Sequence, residues 1–289
     1  MLLFFTRSTQ HLQSNINLPI AHTEVKQFRD GELYIKVNQP FSDKEIWVIT
    51  ETGAPAENLL ELFFLLNALV RNGATNINIL FTYFGYARQA EAKQNEAATA
   101  RVISNILKLF PLGRIIIIHV HDLTTMQSIL KFENKIHYKF FIDIAKKFDI
   151  IAAPDRGARE FAQNVAEFTE KPIVFIKKIR PKQEKVIIQS INDETVNNKN
   201  ILLVDDIIST GNTLIKASTM LKKFGARNIS AAATHGIFSK GAIKKLESCP
   251  LNAIHITNTI QQSEKGGKFI KTYDIASFLE SLITENTPG

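Results

Sequence analysis

Ile201-Leu202-Leu203-Val204-Asp205-Asp206-Ile207-Ile208-Ser209-Thr210-Gly211-Asn212-Thr213-Leu214 compresses a strand, an acidic pair, a polar loop and a helix start into one run. Four apolar residues without alternation suit a strand buried on both faces of a parallel sheet, and such sheets take ligands outside the carboxyl ends of their strands. Asp205 and Asp206 fall at that end. Successive strand side chains point to opposite faces, so the two carboxylates divide their work. One meets ligand hydroxyls, and its neighbour orients a loop, a metal-bound water or a basic partner. Ser209, Thr210 and Thr213 add hydroxyls, and Gly211 lets backbone N–H groups turn inward. With Asn212 they precede an expected helix over 214–224, which makes a phosphate cradle at a helix N-terminus. A ligand with vicinal hydroxyls at one end and a phosphomonoester at the other, such as ribose 5-phosphate, would match it. The same residues also suit an ordinary strand–turn–helix with a solvated Asp pair and Ser209 as N-cap. Neither Gly-x-x-x-x-Gly-Lys-[Ser/Thr] nor Gly-x-Gly-x-x-Gly occurs in the chain.

On either side of this run, strands and helices alternate. Before it, apolar runs predict strands over 2–6, 45–50, 78–83 and 115–120, and helices over 58–72 and 97–110 that Gly73 and Pro111 terminate. A further helix starts near Ser8. Strands over 25–28 and 33–37 flank Arg29-Asp30-Gly31-Glu32, whose central Asp-Gly is a hairpin signal. A second cycle begins near Tyr138, with helices over 140–147, 160–167 and 240–247 and strands over 150–153, 173–176, 185–189, 229–234 and 253–257. The last helix is expected over 275–284. The fold class is α/β, as two tandem domains, each with a mostly parallel central sheet flanked by helices. Their bounds are 1–138 and 139–274, with the last segment, 275–289, a candidate to rejoin the first domain.

A chain of 289 residues is long for one core and suits two domains of about 140 residues each. Hydrophobic content of 45% with 22% charged residues belongs to soluble globular proteins. The net charge of +7 suits nucleic acid or an anionic metabolite. Lys177, Lys178, Arg180, Lys182 and Lys185 cluster without interleaved aromatic residues, which argues against a nucleic-acid partner and for small polyphosphates. Cys249 is the single cysteine, so no intrachain disulfide forms and a reducing compartment is expected. The start lacks a basic region followed by a long apolar run, and the most apolar helix candidate, 59–70, is interrupted by Glu61 and Asn67. A cytoplasmic protein without a membrane partner is expected.

Val204-Asp205-Asp206-Ile207-Ile208-Ser209-Thr210-Gly211-Asn212-Thr213 resembles the binding motif for phosphoribosyl diphosphate (PRPP) shared by phosphoribosyltransferases and ribose-phosphate pyrophosphokinases. Other segments match the second family in its order. Phe28-Arg29-Asp30-Gly31-Glu32 resembles that family's ATP loop, which implies that Phe28 stacks on adenine while Asp30, Gly31 and Glu32 contact the nucleotide across a subunit boundary. Tyr83-Phe84-Gly85-Tyr86-Ala87-Arg88-Gln89 resembles its signature and places Arg88 and Gln89 in the ATP site. The resemblance singles out His121 and, in Pro154-Asp155-Arg156-Gly157, Asp155 as residues on the metal side. His119 and His121 are two apart and suit one strand face, a spacing compatible with metal binding, although such pairs are more often structural than ligating. Lys178 and Arg180 match the catalytic Lys-x-Arg, which the family carries on a mobile loop.

The resemblance implies two tandem phosphoribosyltransferase-like domains. It implies Mg²⁺-dependent transfer of the diphosphate of ATP to the 1-hydroxyl of ribose 5-phosphate, giving PRPP and AMP, by a homo-oligomer that is at least a dimer. Three features depart from the common pattern: Ala90 replaces an acidic residue, Asn212 a glycine, and Ser209 the Asp of many bacterial members. Asn tolerates positive φ, so the cradle survives the second change. Ser209 and the compact loop after Gln89 look closer to the archaeal-type members. Two other readings share the central motif: a phosphoribosyltransferase that consumes PRPP, and a catalytically silent regulatory subunit of the same family.

Overall fold

The computed structural model describes residues 1–38, 40–41, 44–90, 92, 94–178, 186–190, 195–262 and 267–285, with strand residues 177–178 and 186–190 described by their backbone alone. Arg180 lies outside the described residues. The chain divides into two compact units, Met1–Ile136 with Thr259–Gln261 and Asp274–Gly289, and His137–Asn258 with Gln262–Tyr273.

The first unit contains β1 (Leu2–Phe5), an antiparallel hairpin of β2 (Thr23–Gln27) and β3 (Leu33–Val37), then β4 (Ile46–Glu51), α1 (Glu57–Arg71) and β5 (Ile77–Tyr83). It continues through α2 (Thr99–Leu107), β6 (Leu112–Ile118), α3 (Leu123–Gln127) and β7 (Glu133–Lys135). Its sheet has the order β1-β4-β5-β6-β7, parallel throughout. Because strand side chains alternate, β4 sends Val48 to one core and Trp47 and Ile49 to another. On the first face lie Leu62, Leu65, Leu66 and Leu69 of α1 and Ile103 and Leu107 of α2. On the second lie Leu12, from the 3₁₀ helix Arg7–Asn15, and Leu279, Leu282 and Ile283 of the last helix, Ala276–Thr284. Each of these buried aliphatic side chains stabilises the unit by about 1.5–3 kcal/mol.

The second unit contains α4 (Tyr138–Ala145), β8 (Ile150–Ala153), α5 (Arg159–Thr169), β9 (Ile173–Lys178), β10 (Val186–Ser190) and β11 (Asn200–Ile208). It is completed by α6 (Asn212–Lys223), β12 (Asn228–Gly236), α7 (Ala242–Glu247), β13 (Ala253–Thr257) and β14 (Ile270–Tyr273). The order is β10-β9-β8-β11-β12-β13-β14, with β10 antiparallel to β9 and every other pair parallel. From β8 the chain moves through α5 to β9 on one side, and from β11 it moves through α6 to β12 on the other. Adjacent strands whose connections diverge leave a crevice at their carboxyl ends. That crevice lies between the ends of β8 and β11.

Candidate active site

Asp155 follows β8, and Asp205 and Asp206 are the sixth and seventh of the nine residues of β11. The strand runs to Ile208, beyond the expected apolar segment, because β12 continues to pair with it through Ile208 and Gly236. Burial, then the charge and hydrogen bond of Asp206, then the charge of Asp155 push the Asp205 carboxyl up to about 9. Two carboxylates separated by about fifty residues of chain thus come within reach of each other's charge because β8 and β11 are neighbours. Asp155 Oδ1 accepts from the backbone N–H of Gly157 at 2.9 Å and of Ala158 at 3.3 Å, which fixes the turn into α5.

Beyond Ile208, the 3₁₀-free loop 209–211 leads straight into α6. Gly211 is the N-cap, with φ +75 and no side-chain capping bond. This overturns Ser209 as N-cap. The first N–H groups of a helix have no intrahelical acceptor, and here that of Asn212 donates to Thr210 Oγ1 at 3.4 Å. A Cβ on Gly211 would meet the Leu246 side chain of α7 at 2.7 Å, so glycine serves both conformation and packing. Asn212 is the first helical residue and is not among those with positive φ, so the tolerance expected of it is not used. Thr210 and Asn212 are exposed, with Ser209 and Thr213 half-buried. The N–H of Ser239 donates to the Ser209 carbonyl at 3.1 Å and the N–H of Phe238 to that of Ile208 at 3.1 Å, tying this loop to the one after β12. Lys178 is the last residue of β9, paired with Val186.

In the first unit, the hairpin tip is exposed at Phe28, Asp30, Gly31 and Glu32. The Phe28 N–H donates to the Glu32 carbonyl at 2.8 Å, Gly31 has φ +96, and the Phe28 and Tyr34 rings lie 5.8 Å apart. Arg88 and Gln89 belong to a 3₁₀ turn after β5, entered through Tyr86 at φ +67, and both are exposed. Gln89 Oε1 accepts from Thr99 Oγ1 at 2.8 Å. No described hydrogen bond or ring contact joins the hairpin tip to Arg88 or Gln89. Ala90 is buried within the apolar core, where an acidic side chain would lie against hydrocarbon.

The histidine pair requires a correction. β6 ends at Ile118, and His119 has φ +43 with its N–H donating to the Lys135 carbonyl at 2.9 Å. The alternation that would align His119 with His121 is therefore broken: His119 is buried and His121 exposed. Asp122 caps α3, accepting from Thr125 N at 3.0 Å and Thr125 Oγ1 at 2.7 Å. Among the described residues, no group of three or more His, Cys, Asp and Glu side chains closes into a metal cage. The all-oxygen set of Asp155, Asp205 and Asp206 nevertheless fits a hard cation that keeps its waters, since a positive charge there would offset the burial and the neighbouring negative charges that push the Asp205 carboxyl up.

Sequence reasoning missed Glu51, at the end of β4. Burial pushes its carboxyl up to about 7, opposed by hydrogen bonds from the Gly53 N–H and from Asn58 Nδ2, the latter at 3.0 Å. The available signal was a charged residue closing an apolar strand just before a glycine.

A crevice at divergent strand ends, with an acidic pair in β11 and a three-residue loop from that strand into the N-terminus of α6, defines a phosphoribosyltransferase-type site. Residues 119–261 match the model of the phosphoribosyl transferase domain, and residues 2–110 match the N-terminal domain of ribose phosphate pyrophosphokinase. A ribose-phosphate pyrophosphokinase of Pyrococcus furiosus is 34% identical, the match covering 90% of this chain and 94% of the relative. One from Mycoplasmopsis pulmonis is 32% identical over 95% and 88%. The crystal structure of phosphoribosylpyrophosphate synthetase from Mycobacterium smegmatis shares the fold, with a TM-score of 0.86, 24% identity and coverage of 98% and 97%. The chain belongs to the ribose-phosphate pyrophosphokinase family, enzymes that synthesise PRPP.

Proposed function

We propose that the chain moves the β,γ-diphosphate of ATP to the 1-hydroxyl of ribose 5-phosphate with Mg²⁺. The hydroxyl oxygen attacks the β-phosphorus, the bond from that phosphorus to the α,β-bridging oxygen breaks, and AMP leaves as the hydroxyl proton passes to solvent. The observation that carries this reading is the burial of Asp205 beside Asp206 and Asp155, which pushes its carboxyl up to about 9 in the strand that leads into the N-terminus of α6. Asp205 and Asp206 hold the ribose hydroxyls and metal-bound water, and residues 209–213 hold the 5-phosphate. Mg²⁺, served by Asp155 and His121, neutralises the phosphate charge when bound. Phe28, Asp30, Gly31, Glu32, Arg88 and Gln89 hold ATP. Lys178 and Arg180 stabilise the charge that develops on the transferring group, and no strong general base is needed.

The exposed hairpin tip, with Phe28 54% accessible, supports a homo-oligomer in which a neighbouring copy uses it. No helix among the described residues is long and apolar enough to cross a membrane, and Cys249 is a free thiol, which supports a cytoplasmic setting. The test is AMP formation from ATP and Mg²⁺ with and without ribose 5-phosphate. Stoichiometric AMP only with the sugar phosphate supports the proposal; ATP binding without AMP formation overturns it in favour of a silent regulatory subunit.

A further inference from the structure

A second crevice lies wholly within the first unit. The chain leaves β1 for the 3₁₀ helix Arg7–Asn15 on one face of the sheet and leaves the adjacent β4 for α1 on the other. The connections leaving the carboxyl ends of β1 and β4 thereby diverge, the same condition that opens the crevice of the second unit. A cavity of about 480 Å³ occupies the place, lined by Arg7 and Ser8 after β1, by Glu51, Glu57 and Asn58 around the end of β4, and by the amides of Gln27 and Gln261. Its size suits a small metabolite. Phe28, Asp30, Glu32, Arg88, Gln89 and His121 do not line it.

The lining selects the ligand. Arg7 is the cation of the cavity, and its charge is matched by Glu61, a buried carboxylate 2.6 Å from Arg7 Nε. Glu57, and Glu51 once ionised above about pH 7, remain as acceptors, so phosphates are repelled. Each Glu51 oxygen takes one hydrogen bond, from Gly53 or Asn58, and retains a lone pair. Two acceptor positions on one planar group suit two neighbouring hydroxyls. Asn58 and Gln261 offer further amide positions, while Ala54, Pro55 and Ile260 supply an apolar wall for a flat ring.

We propose that this cavity binds an uncharged vicinal diol, on a free pentose or on a nucleoside, with Glu51 as the principal acceptor. Calorimetric titration of the full chain with D-ribose, with adenosine and with AMP tests this. Asp206→Asn serves as a control that impairs the second unit's site, and Glu51→Gln and Ala54→Trp target the cavity. Ala54 is exposed, so filling the mouth with Trp spares the core, and thermal unfolding verifies both folds. At least one uncharged probe should bind wild type and Asp206→Asn alike, lose tenfold or more in affinity in both cavity variants, and exceed AMP. Tighter adenosine than ribose assigns a nucleoside, and the reverse a free sugar. Binding of neither probe, affinity unchanged by the cavity variants, or AMP binding as tight as adenosine would overturn the proposal.

Discussion

Gly85 sits directly on the backbone of Thr52: its N–H donates to Thr52 Oγ1 at 3.0 Å, and any Cβ on it would collide with the Thr52 carbonyl. The turn carrying Arg88 and Gln89 thus rests on the segment after β4. Gly85→Ala should destabilise the first unit by about 1–3 kcal/mol, the usual cost of overpacking. It should also raise the KM for ATP more than it lowers kcat. Denaturant unfolding and ATP saturation curves check the two effects.

Asp205 should give the free protein a stability that falls as pH rises from about 4 to about 9. Its folded value, about 9, exceeds its ordinary 3.8, so between those values the folded chain holds a proton that the unfolded chain has released. Stability therefore declines as pH rises through this window and levels off above about 9. Asp205→Asn should flatten that slope and raise the melting temperature at pH 8 while abolishing PRPP formation. Melting curves from pH 5 to 10 decide it; an unchanged slope in the variant would assign the dependence to another group.

Lys178→Ala should reduce kcat for AMP formation by about 10²–10³-fold while leaving ribose 5-phosphate affinity nearly unchanged, because its charge acts on the transferring group. Unchanged turnover would remove Lys178 from the mechanism.

Asn212→Gly should bring no gain. Asn212 already has helical backbone geometry and is exposed, so glycine at this position costs about 0.5–1 kcal/mol of helix stability and leaves the phosphate cradle as it was. The KM for ribose 5-phosphate should stay within about twofold; a marked fall would show that the side chain obstructs the phosphate.

Arg7→Ala strands the carboxylate of Glu61, which is 2% exposed. Breaking a fully buried pair costs about 3–5 kcal/mol; with the Arg7 side chain itself 40% exposed and its backbone N–H still donating to Glu61 Oε1 at 2.6 Å, the loss should fall at or below the lower figure. Arg7→Ala with Glu61→Gln should recover part of it in urea unfolding.

The alternation of strands and helices was legible because buried parallel strands are continuous apolar runs, as in Ile46–Glu51 and Asn200–Ile208, and glycine or proline separates them. The run from Ile201 to Leu214 also exposed its chemistry, since acidic, hydroxyl and glycine residues stand next to one another in sequence. Two of the four edge strands of the two main sheets were not legible: Glu133–Lys135 is short and polar, and three of the four residues of Ile270–Tyr273 are exposed, so neither carries a hydrophobic signal. α3, five residues long, rests on the Asp122 cap rather than on a periodic pattern. Nothing local marks the meeting of Asp155 with Asp205, which depends on the adjacency of β8 and β11. His119 escaped because backbone handedness, not residue type, ended the strand.

The last helix, Ala276–Thr284, packs Leu279, Leu282 and Ile283 against the same apolar surface as Leu3, Trp47 and Leu80. During synthesis on the ribosome, the complete second unit emerges before this helix does. The sheet of the earlier-made unit therefore waits with one hydrophobic face uncovered, and the later-made unit is the first able to finish folding, the reverse of the usual order. A nascent chain stalled before Asp274 should consequently recruit chaperones through its amino-terminal half.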